Sequence, residues 1–512
     1  MPMGEDNQEF ENELQELNIG LMKMELPTRD CCIYRVPKTL RDIKPEAYTP
    51  RLISIGPLHH RTTTKTPSGE ETVAPPPVQV EEESVSAGGL MMETVKLEYL
   101  KSFYGRTDRN LQELRDVVEQ RKERIRRCYE ETKPKDDVEF VNIILKDSVF
   151  IIELFLKTYE AQNHQNDFIV GKPWRRTAVL KDLMLLENQL PYFIIDDIYR
   201  HAIANVPGQW PSFLDLTLAY FKPYFEGPTN ANYETLSCDC CNWLYCFCLN
   251  KSWSKCQNSE NQQNRGEAHK HTEMPFIPLH FTDLIRWHLS PKHDPHPHSK
   301  KIGEENQEPS PQHCIRIVSC CCNAGESKKG AKYLFSATKM NAAGVTFQEC
   351  KTEWPLGITF EDGVLSMPVL EIDDCTERQF RNLMAFEQCH YPDKAYICNY
   401  IKFIDRLIDT EGDVELLIDR GIIVHWLGDT KSVATLFNNL YEEIVEVDFL
   451  YETIWKQLND HYGNCWYRTV AILRRIYFSN LWKGSGTVVA MILLVFTFIQ
   501  SINSLMQIFK LR

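Results

Sequence analysis

The stretch TVVAMILLVFTFIQSINSLMQIF, from Thr487 to Phe509, contains no charged side chain and constrains this chain more than any other feature. As a helix rising about 1.5 Å per residue it spans roughly 34 Å, against a hydrocarbon core of about 30 Å. The strongly apolar part runs only from Val488 to Ile499, and Gln500, Ser501, Asn503, Ser504 and Gln507 dilute the rest. That shorter length also fits a core helix of a soluble protein. Only Lys510, Leu511 and Arg512 follow the stretch, which favours a single-pass anchor, and 487–509 is expected to be a transmembrane helix. Within it Gln500, Asn503 or Ser504, and Gln507 recur every three or four residues and so share one helix face. Amides on facing helices hydrogen-bond in hydrocarbon for about 0.6–2 kcal/mol each. These residues form a candidate association face; a wet helix end beside Lys510 is the alternative.

The flanks predict an orientation. Arg468, Arg474, Arg475 and Lys483 precede the stretch, Lys510 and Arg512 follow it, and no acidic residue occurs after Asp460. The larger basic cluster is expected on the cytosolic side. The opening MPMGEDNQEFENELQEL has neither a basic n-region nor an apolar h-region, so no export signal is expected. The resulting expectation is a C-terminal anchor in the plasma membrane or an endomembrane, with the lipid bilayer as one partner and the bulk of the chain cytosolic. A formal net charge of -14 argues against nucleic acid, whose phosphates require clustered Lys and Arg. The dense basic run Arg121–Cys128 is surrounded by Glu119, Glu123, Glu130 and Glu131, which reads as a solvated helix face.

The fold class expected is mainly α: a helical body, a small β-hairpin region and one C-terminal transmembrane helix. Residues 1–30 form an acidic preamble, and 31–480 form the body. Residues 62–90 are a Pro-, Thr- and Glu-rich stretch expected as a disordered loop. Thr94–Arg127, Phe140–Tyr159 and Arg176–Tyr199 carry apolar residues at helical spacing. Apolar and polar residues alternate in GVTFQEC and ITFEDGVLSMPVLEI around Glu361-Asp362-Gly363, predicting a hairpin. Between Asn439 and Leu458, the residues Leu440, Ile444, Val447, Tyr451, Ile454 and Leu458 predict one continuous helical seam, docked on the body or self-associating.

Residues 225–330 interrupt the body as a Cys- and His-rich insertion. Six cysteines fall between Cys238 and Cys256, four between Cys314 and Cys322, and seven histidines between His269 and His298. Adjacent cysteines such as Cys240-Cys241 and Cys320-Cys321-Cys322 suit a closed tetrahedral zinc site poorly, and compositional drift in a surface insertion is the simpler reading. No metal site and no cofactor is expected.

Several blocks recur in a fixed order: CIYRVPKTLR (Cys32–Arg41), AYTPRLISIGPLHH (Ala47–His60), KDSVFIIELF (Lys146–Phe155), DLMLLENQLPYFII (Asp182–Ile195), SATKMNAAGVTF (Ser336–Phe347), RNLMAFEQC (Arg381–Cys389), GIIVHWLGD and LFNNL. With the terminal apolar stretch, this series closely resembles the plant family termed domain of unknown function 247. The resemblance runs from about residue 31 to the end, apart from 62–90 and 225–330. It implies a membrane-anchored plant protein with no established biochemical activity.

The blocks themselves read as structural devices. In Leu186-Glu187-Asn188-Gln189-Leu190-Pro191 the proline ends a helix, and the polar residues before it can satisfy freed backbone groups. Glu187 as a general base is the competing interpretation, and Glu153 and Glu387 invite the same question. No Gly-x-Ser-x-Gly, His-Glu-x-x-His or phosphate-cradling loop is present in the sequence. His59 and His60 after Ile55-Gly56-Pro57 are expected as exposed residues of a turn, and Cys389 as a small buried hydrophobe. The favoured function is a membrane-tethered interaction or signalling protein engaging an unidentified protein or a second copy of itself. The alternative is an enzyme using Glu187 and Glu387 in a polar cleft.

Overall fold

A computed structural model describes residues 29–59, 63–65, 71–73, 82–107, 109–131, 136–160, 164–203, 210–225, 276–291, 335–350, 354–445, 447–477 and 481–510. Helices dominate. In chain order they are α1 (Lys38–Ile43), α2 (Glu82–Arg106), α3 (Leu111–Arg127), α4 (Asp137–Tyr159), α5 (Pro173–Asp182), α6 (Tyr192–Ile203), α7 (Phe213–Phe225), α8 (Phe281–Leu289), α9 (Ala337–Ala342), α10 (Thr376–His390), α11 (Tyr396–Leu407), α12 (Glu411–Asp419), α13 (Thr430–Leu440), α14 (Glu452–Gly463), α15 (Cys465–Tyr477) and α16 (Leu481–Lys510). The strands are short: β1 (Thr63–Lys65), β2 (Glu71–Val73), β3 (Thr346–Glu349), β4 (Thr359–Glu361), β5 (Val364–Met367), β6 (Leu370–Ile372) and β7 (Ile423–His425).

The chain divides into two compact units. The first comprises Met1–Arg35, Ser54–Leu154 and Glu187–Phe213, and so contains α2, α3, α6 and α4 as far as Leu154. Its core is built from helix faces. Leu114, Val118 and Ile125 of α3 are fully buried, and α3 packs on α6, which buries Ile194, Ile195 and Ile198. Tyr99 of α2 meets Phe150 of α4 with ring centroids 5.1 Å apart. The expected helix Thr94–Arg127 is in fact two. Asn110 leaves helical geometry (φ -88°, ψ 160°) and its side chain accepts from Glu113 N–H at 2.9 Å, so it caps α3 and ends the continuity with α2. Within 62–90, read from sequence as disordered, the threonine-rich pieces β1 and β2 pair antiparallel and α2 already begins at Glu82.

The second unit comprises Val36–Ile53, Phe155–Leu186 and Leu214–Arg512. Here α10, α11 and α13 pack on one another, with α8 against α10 and α12 against α13. Phe380, Leu383, Met384 and Phe386 of α10 and Ile401, Ile404 and Leu407 of α11 are all buried where these two helices pack. The expected hairpin is present: β4 and β5 pair antiparallel with Glu361 opposite Val364. Its two-residue turn, Asp362 at φ 49° and Gly363 at φ 79°, has both residues in the left-handed region that an Asp-Gly turn supplies. β3 adds to β5 in parallel, giving the order β3-β5-β4, and β6 pairs with β7 in parallel.

One helical expectation is corrected. The seam from Leu440 to Leu458 is not continuous, because α13 ends at Leu440, Glu443 turns at φ 60° and α14 starts only at Glu452. Leu440, Tyr451 and Leu458 are buried, Ile444 and Ile454 half-buried, and Val447 exposed. The four-and-three spacing joins the end of one helix to the start of another across a turn, and periodicity alone does not register such a break.

Candidate functional site

The segment Arg51–Gly56 belongs to no helix or strand, so no regular ladder takes its hydrogen bonds. Buried backbone groups must find partners or carry a penalty of about 1–3 kcal/mol each. Side chains supply them. In the first unit, Asn188 Oδ1 accepts Ile55 N–H at 2.6 Å and Asp147 Oδ2 accepts Gly56 N–H at 2.8 Å. Lys96 Nζ donates to the Ser54 carbonyl and, at 2.7 Å, to Asp147 Oδ1, and both charged side chains are 1% exposed. Burial alone would lower the Lys96 pKa, but Asp147 and Glu93 outweigh it and hold the ammonium above its usual range. Gly56 sits at φ +74°, where a Cβ would lie 2.6 Å from the Gln189 carbonyl, so only glycine fits this approach. In the second unit, Asp182 accepts the N–H groups of Arg51 (3.0 Å), Leu52 (2.7 Å) and Ile53 (2.9 Å), and Arg378 Nη2 balances its charge at 2.8 Å.

The glutamates proposed from sequence as acid-base groups are held in the same manner. Glu153 takes Ser102 Oγ at 2.7 Å and Arg106 Nε at 3.1 Å. Glu187, 2% exposed, lies 3.4 Å from Arg35 Nη1 and 3.5 Å from His59 Nε2. His59 is therefore not the exposed turn residue expected: its side chain is 15% exposed and faces Glu187. A carboxylate against an imidazole is one component of a general base, but that role also requires access to a substrate proton. Here Arg35 shares the carboxylate in a nearly closed setting.

In the second unit Glu387 accepts Arg286 Nε at 3.1 Å and the N–H groups of Ile397 and Cys398 at 2.9 Å, which fixes the first turn of α11 against α10. Full burial pushes its carboxyl up, and Arg286 and the two N–H groups pull it back. Cys389, expected as buried, is only half-buried, whereas Cys398 is the buried thiol of this cluster. Among the described residues no three His, Cys, Asp or Glu side chains gather as metal ligands. The cysteines of Cys238–Cys256 and Cys314–Cys322 lie outside the described residues.

The family model for DUF247, described as plant protein of unknown function, matches residues 33–496. The chain belongs to the DUF247 family. Two UPF0481 proteins of Arabidopsis thaliana are similar to it. One is 25% identical over 488 residues, covering 92% of this chain and 85% of the relative; the other is 22% identical over 536 residues, covering 96% and 93%. No solved structure matches the chain.

In this DUF247 protein the blocks that carry the family resemblance are the sources of the buried polar partners. Asp147 comes from KDSVFIIELF, Asp182 and Asn188 from DLMLLENQLPYFII, and Glu387 from RNLMAFEQC. Asn382 of that last block accepts Leu186 N–H at 3.0 Å and donates to the Ala47 carbonyl at 2.9 Å. Thr338 of SATKMNAAGVTF binds Asp413 through both its N–H (2.8 Å) and hydroxyl (2.7 Å). Sequence reasoning marked Glu187 and Glu387 and missed Asp147, Asp182 and Lys96. The signal available for these was the presence of charged residues inside otherwise apolar helices.

The other candidate site lies on α16 of the DUF247 chain. The residues Ser485–Ile502 are long and apolar enough to cross a membrane, and none of that stretch is buried. Within this chain the stretch is not packed into a core. Gln500 is exposed; the side chains of Asn503, Ser504 and Gln507 lie outside the described residues, although the helical backbone continues through them to Lys510 and keeps the four positions on one face.

Proposed function

We propose that this DUF247 chain is a membrane-tethered interaction protein, with α16 as its single span and its helical body as the surface that meets partners in signalling or assembly. The observation that carries this is the unburied apolar helix. Val488, Val489, Met491, Ile492, Leu493, Leu494, Val495, Phe496, Phe498, Ile499 and Ile502 are 40–70% exposed. Full burial of such a side chain is worth roughly 1.5–3 kcal/mol, so leaving this helix in water forgoes on the order of 10 kcal/mol. That is comparable to the net stability of a domain. A bilayer removes the penalty, and the basic flank Arg468, Arg474, Arg475 and Lys483 supports a cytosolic body at the plasma membrane or an endomembrane.

The saturated carboxylates support a scaffold in preference to an enzyme, since Glu153, Glu187 and Glu387 are committed to arginines. We further assign the face of Gln500, Asn503, Ser504 and Gln507 as the site at which the span pairs with itself or with another membrane protein. Full-length protein should sediment with membranes and resist carbonate extraction, whereas a chain ending near Lys483 should not. Full-length protein recovered in the soluble fraction overturns the reading. Leucine at 500, 503 and 507 should diminish crosslinked species in native membranes; undiminished adducts place association in the soluble body.

A further inference from the structure

Helix α15 carries two different apolar faces. One is used: the position a Cβ would take on Gly344 lies 3.3 Å from Ala471 Cβ and 3.6 Å from the Tyr467 carbonyl, and the Tyr467 ring stacks on His461 with centroids 4.3 Å apart. That face holds α15 on the second unit. The other, Trp466, Val470 and Leu473, follows i, i+4, i+7 spacing, and these residues are 71%, 42% and 46% exposed; Tyr467 at its edge and Ile472 off the stripe are also about half exposed. An exposed stripe headed by tryptophan differs from scattered surface apolar residues, because contiguous patches mark sites of association.

Its surroundings identify the occupant. α15 ends at Tyr477 and α16 begins at Leu481, so the linking residues reach at most about 14 Å. Whatever surface α16 crosses, α15 lies close to it. Arginines stand at 468, 474 and 475 along the same helix, and no acidic residue follows Asp460. Tryptophan concentrates at the headgroup level of bilayers, and basic amphipathic helices lie in the interface with their apolar side at the acyl boundary.

We propose that α15 is an interfacial helix seated on an anionic bilayer surface, with Trp466, Val470 and Leu473 dipping toward the acyl chains and the arginines of the helix serving lipid phosphates. This rests on the reading of α16 as a membrane span. Each arginine near an anionic surface contributes roughly fivefold to binding there. The stripe and the charges together would fix the tilt of the body against the membrane, which a single flexible tether leaves free.

The experiment uses full-length protein in vesicles of phosphatidylcholine and phosphatidylserine. An environment-sensitive fluorescent amino acid replaces either Trp466 or Leu494, and the lipids are brominated either near the carbonyl or near the tail end. The probe at 466 should lose intensity mainly with shallow bromine, and less so when phosphatidylserine is omitted; the probe at 494 should lose it mainly with deep bromine. Quenching at 494 with none at 466 overturns the interfacial helix and leaves the span intact. Quenching at neither position overturns both, and quenching at 466 alone removes the span on which the proposal rests. A probe at 466 shielded from both bromolipid and aqueous iodide marks a protein cover, a second copy included, and overturns the proposal. Val470→Glu with Leu473→Glu should abolish quenching at 466 while the helical circular dichroism of the body is unchanged; persistent quenching in that variant is equally fatal.

Discussion

Asp147→Asn is the sharpest probe of the side-chain clamp on Ser54–Gly56. The substituted amide still offers an oxygen to Gly56 N–H, so the change removes charge more than it removes the hydrogen bond. Lys96 then stays buried, 1% exposed, with the Ser54 carbonyl and with Glu93 Oε1 at 3.0 Å, a partner that is itself 39% exposed. Removing one member of a buried pair costs about 3–5 kcal/mol, and the remaining Glu93 contact places the expected loss near 3 kcal/mol. Lys96→Met alone leaves the Asp147 carboxylate buried and should cost about as much. Combining the two removes both charges, and the double variant should lose only about 1–2 kcal/mol, because an uncharged pair of similar volume has no ion to desolvate. The implied coupling is about 4–5 kcal/mol. Urea unfolding in mild detergent, followed by helical circular dichroism, measures the three variants. Hydrogen exchange at residues 54–56 reports whether the clamp itself has opened. Losses that simply add, or a single-variant cost below about 1 kcal/mol, would refute the reasoning.

Three further outcomes are expected. Gly56→Ala should lose more than about 2 kcal/mol, since its φ of +74° costs an L-residue roughly 1–2 kcal/mol and the added Cβ meets the Gln189 carbonyl at 2.6 Å; Gly105→Ala, whose Cβ meets nothing within 4 Å on α2, should gain about 0.5–1 kcal/mol. Glu387→Gln should lower stability by about 3 kcal/mol, because one amide cannot accept from both Arg286 and the Ile397 and Cys398 N–H groups, and an unchanged thermal midpoint would contradict the saturated-carboxylate account. Burial raises the Asp405 carboxyl to about 6, Arg406 opposing and Asp409 adding to the rise, so the folded state holds its proton more tightly than the unfolded one; stability should fall as pH rises from about 4 to 6, and Asp405→Asn should flatten that slope in unfolding curves taken across the range.

What the sequence revealed was mostly local. Asp362-Gly363 turned a hairpin as expected, and Ser485–Ile502 of the C-terminal helix is unburied, whereas Pro191 stands not at the end of a helix but directly before α6, α5 having already ended at Asp182. The misjudged elements share a cause. Asn110 and Glu443 break helices inside runs whose apolar spacing continues on either side, and spacing carries no information about φ and ψ at a single residue. His59 looked like a surface turn residue because its partner Glu187 is distant in sequence. The same holds for the clamps: Asp147 and Asn188 meet the 54–56 segment across 91 and 133 positions of chain. A buried carboxylate that caps a distant backbone and one that abstracts a proton look alike in a sequence, and only the number and direction of their donors separates them.

The clamp also bears on how the chain is made. Ribosomes add roughly 5–20 residues per second, so the backbone at Ile55 and Gly56 waits about 5–25 s before Asp147 and Asn188 are synthesised. During that interval an apolar stretch with open amide groups offers itself to any strand edge in its vicinity. Nascent chains arrested before residue 188 should therefore be the species that chaperones hold and that aggregate when released, and the onset of protease resistance should coincide with emergence of the Leu186–Pro191 turn from the exit tunnel.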